Sequence, residues 1–254
     1  MLKVESVSKS FGGLMAVCDV SLELGTVPVT GLVGPNGSGK TTLFHMITGF
    51  YRLDKGRIRF GDEEISGRAP HEISRMGMVR TFQHTRVLPF LSTRENLLSA
   101  VPHQRGERLT SLFFRPGAVK EEEKQNWARA EEILGMIHLA PLAEELSGRL
   151  SYGQQKLLEL GRVLMARPKM ILLDEPTAGI NPTLIRRLVE ILKELTRRGV
   201  QVFLIEHNMP LVAEICDRVF VMDSGKLIFS GSPEEAIQDA GVIEAYLGRE
   251  SYAP

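Results

Sequence analysis

Cysteine is scarce in this chain. Cys18 and Cys216 are its two thiols, far apart in 254 residues. Buried free thiols in a reducing compartment are therefore expected, rather than a disulfide framework. An excess of charge is missing too: 31 basic residues face 31 acidic ones. With no global basic field, nucleic acid is not an implied partner. No apolar run approaches the roughly 20 residues of a membrane-spanning helix. The opening Met1-Leu2-Lys3-Val4-Glu5-Ser6 has no apolar signal region. Any role at a membrane would run through something embedded there. Repeats and low-complexity tracts are also lacking. What remains is ordinary globular composition, 43% hydrophobic and 24% charged, enough for one large domain or two small ones.

Against that background one stretch stands out. Gly34-Pro35-Asn36-Gly37-Ser38-Gly39-Lys40-Thr41 is a complete G-x-x-x-x-G-K-[ST] phosphate-binding loop, continued by Thr42. It follows an apolar run (Val29, Leu32, Val33) and precedes a helical pattern (Leu43, Phe44, Met46, Ile47), the context the motif needs. Glycines let backbone N–H groups turn inward around phosphate oxygens, and the helix presents its positive end to them. Lys40 is expected at the β and γ phosphates and the Thr41 hydroxyl at Mg²⁺.

Apolar alternation predicts strands at Lys3 to Val7, Val17 to Leu24, Val29 to Val33, Gly56 to Asp62 and Met78 to Gln83. From His84 to Arg149 helical periodicity takes over. There the run Glu121-Glu122-Glu123-Lys124 reads as a solvated face and Trp127 as packing. After Ser151 helices and strands alternate: a helix from Gly153 to Ala166, strand Met170 to Leu173, a helix from Thr183 to Arg198, strand Val200 to Ile205, then a hairpin around Asp223-Ser224-Gly225-Lys226. Ser232, Pro233 and Glu235 open a last helix with a capping box. The predicted class is α/β with a mainly parallel sheet, an N-terminal antiparallel subdomain, and a helical insertion over 84–150 in a nucleotide-binding core of 1–83 and 151–254.

Strand Met170 to Leu173 ends in Asp174-Glu175. Paired with a phosphate loop, and expected on a strand beside it, these carboxylates point to Mg²⁺ (Asp174) and to the attacking water (Glu175). Further on, Leu150-Ser151-Tyr152-Gly153-Gln154-Gln155 resembles the Leu-Ser-Gly-Gly-Gln signature of ATP-binding-cassette proteins. The resemblance implies that Ser151, Gly153 and Gln154 close over nucleotide held by a partner subunit. It also implies a Gln83 that contacts Mg²⁺ and water, a His207 that bonds the γ-phosphate, and a Phe11 that stacks on adenine. Two positions depart from the pattern: Tyr152 replaces a signature glycine, and Asn181, in Ala178-Gly179-Ile180-Asn181, replaces an aspartate.

Lys9-Ser10-Phe11-Gly12-Gly13-Leu14-Met15-Ala16-Val17, Arg80-Thr81-Phe82-Gln83-His84-Thr85-Arg86-Val87-Leu88, Ile205-Glu206-His207-Asn208-Met209 and Glu244-Ala245-Tyr246-Leu247-Gly248 are similar to the longer ATPase subunit of branched-chain amino acid importers. That resemblance implies ATP and Mg²⁺, a second ATPase subunit (like or unlike), transmembrane permeases, and an external binding protein acting indirectly. It places the chain peripherally on the cytoplasmic face of the inner membrane. Related subunits serve urea or short-chain amide uptake, and a soluble cassette ATPase is the more distant alternative. Val87-Leu88-Pro89-Phe90-Leu91 reads equally as a permease-facing groove or as helical core.

Overall fold

The computed structural model describes residues 1–81, 87–102, 104, 106 and 116–250. They form two compact units: Met1–Arg80, Lys169–Pro176 and Lys193–Pro254 make the first, Thr81–Pro168 and Thr177–Leu192 the second.

The first unit holds two sheets. In the smaller, β1 (Leu2–Phe11) lies between β2 (Leu14–Glu23) and β4 (Lys55–Phe60), with β5 (Glu63–Glu64) outermost, all antiparallel. Gly12-Gly13 turns the β1–β2 hairpin, so Phe11 and Leu14 face each other at its tip. The larger sheet has the order β10-β9-β3-β8-β7-β6, with β3 (Val29–Val33), β6 (Met78–Arg80), β7 (Met170–Asp174), β8 (Gln201–Ile205), β9 (Arg218–Asp223) and β10 (Lys226–Gly231). β10 pairs antiparallel with β9, and every other pairing is parallel. β3 and β7 are buried at every residue, which is why their sequences are mostly apolar. One core, including Leu2, Phe44, Ile58, Met78, Leu172 and Phe203, joins both sheets through α1 (Lys40–Ile47).

Asp174's strand does not pair with the loop-bearing strand: β8 lies between them. Asp174 pairs with Ile205 and Ile205 with Leu32, so all three strands end at one edge. Ligands of open parallel sheets bind outside such carboxyl ends.

Short helices escaped the sequence reading: α2 (Pro70–Arg75) before β6 and α7 (Met209–Ile215) after β8. The capping box at Ser232 does open α8 (Pro233–Gln238), the Ser232 amide donating to Glu235 Oε2 at 2.8 Å. It is not the last helix. Asp239 leaves helical geometry and caps α9 (Ala240–Glu250), Oδ1 accepting from the Val242 amide at 2.9 Å.

The second unit is helical: α3 (Thr93–Leu98), α4 (Pro116–Met136), α5 (Tyr152–Met165) and most of α6 (Pro182–Arg197). Ile133, Ile137 and Leu97 crowd around Gly161, where a methyl group would meet Ile137 Cδ1 at 2.8 Å. Trp127 is not core: it is half exposed, with the Arg94 guanidinium 4.7 Å from its ring centroid. The Val87–Leu91 segment is pinned by buried Asn96, whose Oδ1 accepts from the Leu88 amide at 2.8 Å and whose Nδ2 donates to the Leu88 carbonyl at 3.0 Å. Phe90 on that segment is 89% exposed, which removes it from the core. No helix among the described residues is long and apolar enough to cross a membrane.

Candidate nucleotide-binding site

β3 delivers the chain into the phosphate loop at Gly34, whose φ of 141° and position admit no side chain: a Cβ there would stand 2.0 Å from the Met222 carbonyl oxygen. Gly39 does the same at the far end (φ 100°), 2.3 Å from the Ala16 carbonyl oxygen. α1 then begins at Lys40 with no side-chain cap, leaving its first N–H groups and positive end for an anion. Lys40 Nζ lies back over the loop, donating to the carbonyls of Gly34 (2.8 Å) and Pro35 (2.9 Å) and to Ser38 Oγ (3.2 Å). These neutral contacts can be exchanged for phosphate oxygens, which bind a cation more strongly. The β9–β10 turn braces the loop, Gly225 N–H donating to the Ser38 carbonyl at 3.0 Å.

A cavity of about 530 Å³ opens over this loop, within the size range of small-molecule sites. Asn36, Gly37, Gly39, Lys40, Thr41, Thr42 and Glu175 line it, with apolar Phe11, Leu14, Met15 and Ala16. Phe11 is 43% exposed and is braced edge-on by Tyr51 at 5.2 Å. Its approach is anchored by Asp54, which accepts from Lys9 Nζ (2.7 Å), the Ser10 amide (2.7 Å) and Ser10 Oγ (2.8 Å). The Lys9 ammonium first, and the two Ser10 donors after it, pull the Asp54 carboxyl down to about 2.

Glu175 takes a left-handed backbone (φ 47°), its amide donating to the Ile205 carbonyl at 3.1 Å. A non-glycine residue held there carries strain of the kind that gathers at functional sites. Asp174 lies just beneath the surface, its side chain 1% exposed. Arg80 Nη2, at the end of β6, donates to Asp174 Oδ2 at 2.5 Å, whereas Asp174 Oδ1 has no partner among the described residues. Arg80, Asp54 and Tyr51 were not singled out from sequence. His207 is exposed at the end of β8, its amide donating to Glu206 Oε2 at 3.3 Å, and it is not among the residues lining the cavity. Gln83 lies outside the described residues.

The residues fit a Mg²⁺ ion. Thr41 lines the cavity, and the buried Asp174 Oδ1 remains as an acceptor. The described residues hold no cluster of three or more metal-ligating His, Cys, Asp or Glu. Mg²⁺ commonly takes one or two protein oxygens and completes its shell with phosphate and water.

Ser151, Gly153 and Gln154 stand in the second unit, at the start of α5. Ser151 Oγ accepts from the Gln154 amide (3.3 Å) and Gln154 Oε1 from the Ser151 amide (2.9 Å), a reciprocal cap. Accepting that bond leaves the hydroxyl proton of Ser151 to donate elsewhere. Gly153 is buried, and a Cβ there would overlap Leu184 Cδ1 at 2.1 Å. Tyr152 lies beside Gly179, where a Cβ would stand 3.1 Å from its ring, and Lys156 Nζ donates to the Ala178 carbonyl at 2.6 Å.

Comparison with known proteins places this arrangement. Residues 17–178 match the family model described as ABC transporter. The chain is 39% identical over 249 residues to the high-affinity branched-chain amino acid transport ATP-binding protein BraF of Pseudomonas aeruginosa, covering 98% of each. To the probable branched-chain amino acid transport ATP-binding protein LivG of Methanocaldococcus jannaschii it is 39% identical, covering 98% of this chain and 97% of the relative. The crystal structure of the ADP conformation of MJ1267, an ATP-binding cassette of an ABC transporter, superposes with a TM-score of 0.83 at 38% identity, covering 98% of each chain. This chain belongs to the ABC transporter family, as one of its ATP-hydrolysing cassettes.

Proposed function

We propose that this chain is the ATP-binding and ATP-hydrolysing subunit of an importer for branched-chain amino acids, held peripherally at the cytoplasmic face of the inner membrane. The observation that carries this reading is end-to-end likeness, 39% over 98% of both chains, to a transport subunit named for that cargo. The fully assembled phosphate loop adds to it.

In this reading ATP enters the cavity with its base against Phe11 and its phosphates in the cradle of Gly34 to Thr42. Lys40 turns from the loop carbonyls to the β and γ phosphates. Thr41, Asp174 and Gln83 hold Mg²⁺, which when bound offsets charge building on the transferred phosphoryl group. Glu175 polarises the attacking water, and His207 bonds the γ-phosphate. Losing such a base typically costs about 10²–10⁴ in rate. Ser151 and Gly153, with Gln154 fixing their turn, offer a hydroxyl, a backbone N–H and a helix N-terminus to nucleotide on a second ATPase subunit. Closure of two cassettes then drives permease subunits that receive cargo from an external binding protein.

The test is purification from native membranes in mild detergent followed by uptake in vesicles. Recovery with a second cassette and two permeases, and ATP-dependent uptake of labelled leucine, supports the reading. Uptake of urea or a short amide instead would replace the cargo, and recovery without any permease would refute the transport role.

A further inference from the structure

The mechanism above uses Asp174 but gives no role to its buried partner, Arg80. Arg80 ends β6, Asp174 ends the adjacent β7, and their side chains are 5% and 1% exposed. One bond joins them, Nη2 to Oδ2 at 2.5 Å. Asp174 Oδ1 and Arg80 Nε and Nη1 are buried without partners among the described residues. Buried ion pairs that serve only as scaffolding tend to be saturated with hydrogen bonds, because each orphaned polar atom is costly. Here the carboxylate has its charge compensated while one oxygen stays uncommitted. The Arg80 guanidinium also stands 5.8 Å from the ring centroid of Phe44, a fully buried core residue.

We propose that Arg80 is a built-in counter-ion for Asp174: it orients the carboxylate through Oδ2 and holds down the affinity of the empty site for divalent cations. Mg²⁺ then enters with the triphosphate rather than ahead of it. The physical basis is Coulombic. A unit positive charge in contact with the carboxylate opposes a doubly charged ion approaching the other oxygen. The triphosphate brings enough negative charge to reverse that balance, so cation capture becomes coupled to nucleotide. This inference rests on Asp174 belonging to the Mg²⁺ site.

Mn²⁺ is the probe, its free aquo ion counted by electron paramagnetic resonance in titrations of the full chain without nucleotide. Wild type and Arg80→Lys, which keeps the charge, are expected to bind weakly. Arg80→Gln is expected to bind about tenfold tighter or more, and Arg80→Gln with Asp174→Asn is expected to lose that gain. Arg80→Met, which removes the charge and leaves an unbranched apolar side chain in its place, gives the same reading if the glutamine variant is unstable. Thermal unfolding and ATP binding in EDTA show that each variant is folded. Unchanged or weaker Mn²⁺ binding in the folded Arg80→Gln or Arg80→Met protein would overturn the proposal, as would a gain that persists without Asp174. A separate titration with ATP present addresses the underlying reading. If Asp174→Asn there binds Mn²⁺ as wild type does, the Mg²⁺ assignment of Asp174 fails and takes this inference with it.

Discussion

Asp54 sits 44 residues from Ser10 in sequence, yet its carboxylate holds both Lys9 and Ser10 just ahead of Phe11. Replacing it with alanine is expected to loosen the Phe11 platform and weaken ATP binding by about three- to tenfold, roughly the worth of one or two polar contacts. Binding of a fluorescent ATP analogue measures this, and unchanged affinity would separate Asp54 from the site. The pH dependence has a definite sign. The folded-state value is depressed to about 2 from the ordinary 3.8, so the tether is fully present above about pH 4 and is lost as pH falls toward 2. Neutral buffers therefore do not reveal the pH dependence, whereas acid unfolding of Asp54→Ala begins from a state already lacking the tether. At this scale the sequence was legible where the motif's residues are near neighbours in the chain: Asn36, Gly37, Gly39, Lys40, Thr41 and Thr42 line one cavity. It was not legible for Asp54 or Arg80. Each acts through a tertiary partner far along the chain, and no local spacing encodes that.

Among elements, the close approach of α5 and α6 depends on Gly153. Its buried position leaves no room beside Leu184 Cδ1, so the glycine has a packing reason as well as the anion-binding one implied by the family pattern. Gly153→Ala is expected to destabilise by about 1–3 kcal/mol, since Leu184 must give way. That corresponds to a fall in Tm of roughly 2–10 °C for a protein of this size. Calorimetry of the isolated chain decides it, and an unshifted Tm would show that Leu184 relaxes freely. The long elements were readable because burial shapes their sequences: β3 and β7 are buried at every residue and mostly apolar, and the phase of α4 runs through Ala130, Ile133 and Leu134. α2 and α7, of six and seven residues, are too short to display one. The place of β8 between β3 and β7 was unreadable for a different reason: strand order is set by crossovers, which leave no mark on either strand's own composition.

For the whole molecule, the proposed coupling to a permease would call for an exposed apolar contact, and Phe90, exposed on a segment clamped by Asn96, is the residue proposed for it. Phe90→Asp is expected to abolish uptake in the reconstituted importer while basal ATP hydrolysis stays within about twofold, since the change is a surface one. Equal loss of both would sink the docking role. The claim on which everything else depends is narrower: one carboxylate, at the strained residue after β7, activates water. The direct measurement is phosphate release from Mg²⁺–ATP by the purified Glu175→Gln protein, with bound nucleotide quantified in the same samples. ATP bound at wild-type affinity, with turnover reduced by about 10²–10⁴ and an ATP-stabilised dimer, is the predicted result. Turnover at the wild-type rate would contradict it and remove Glu175 as the base.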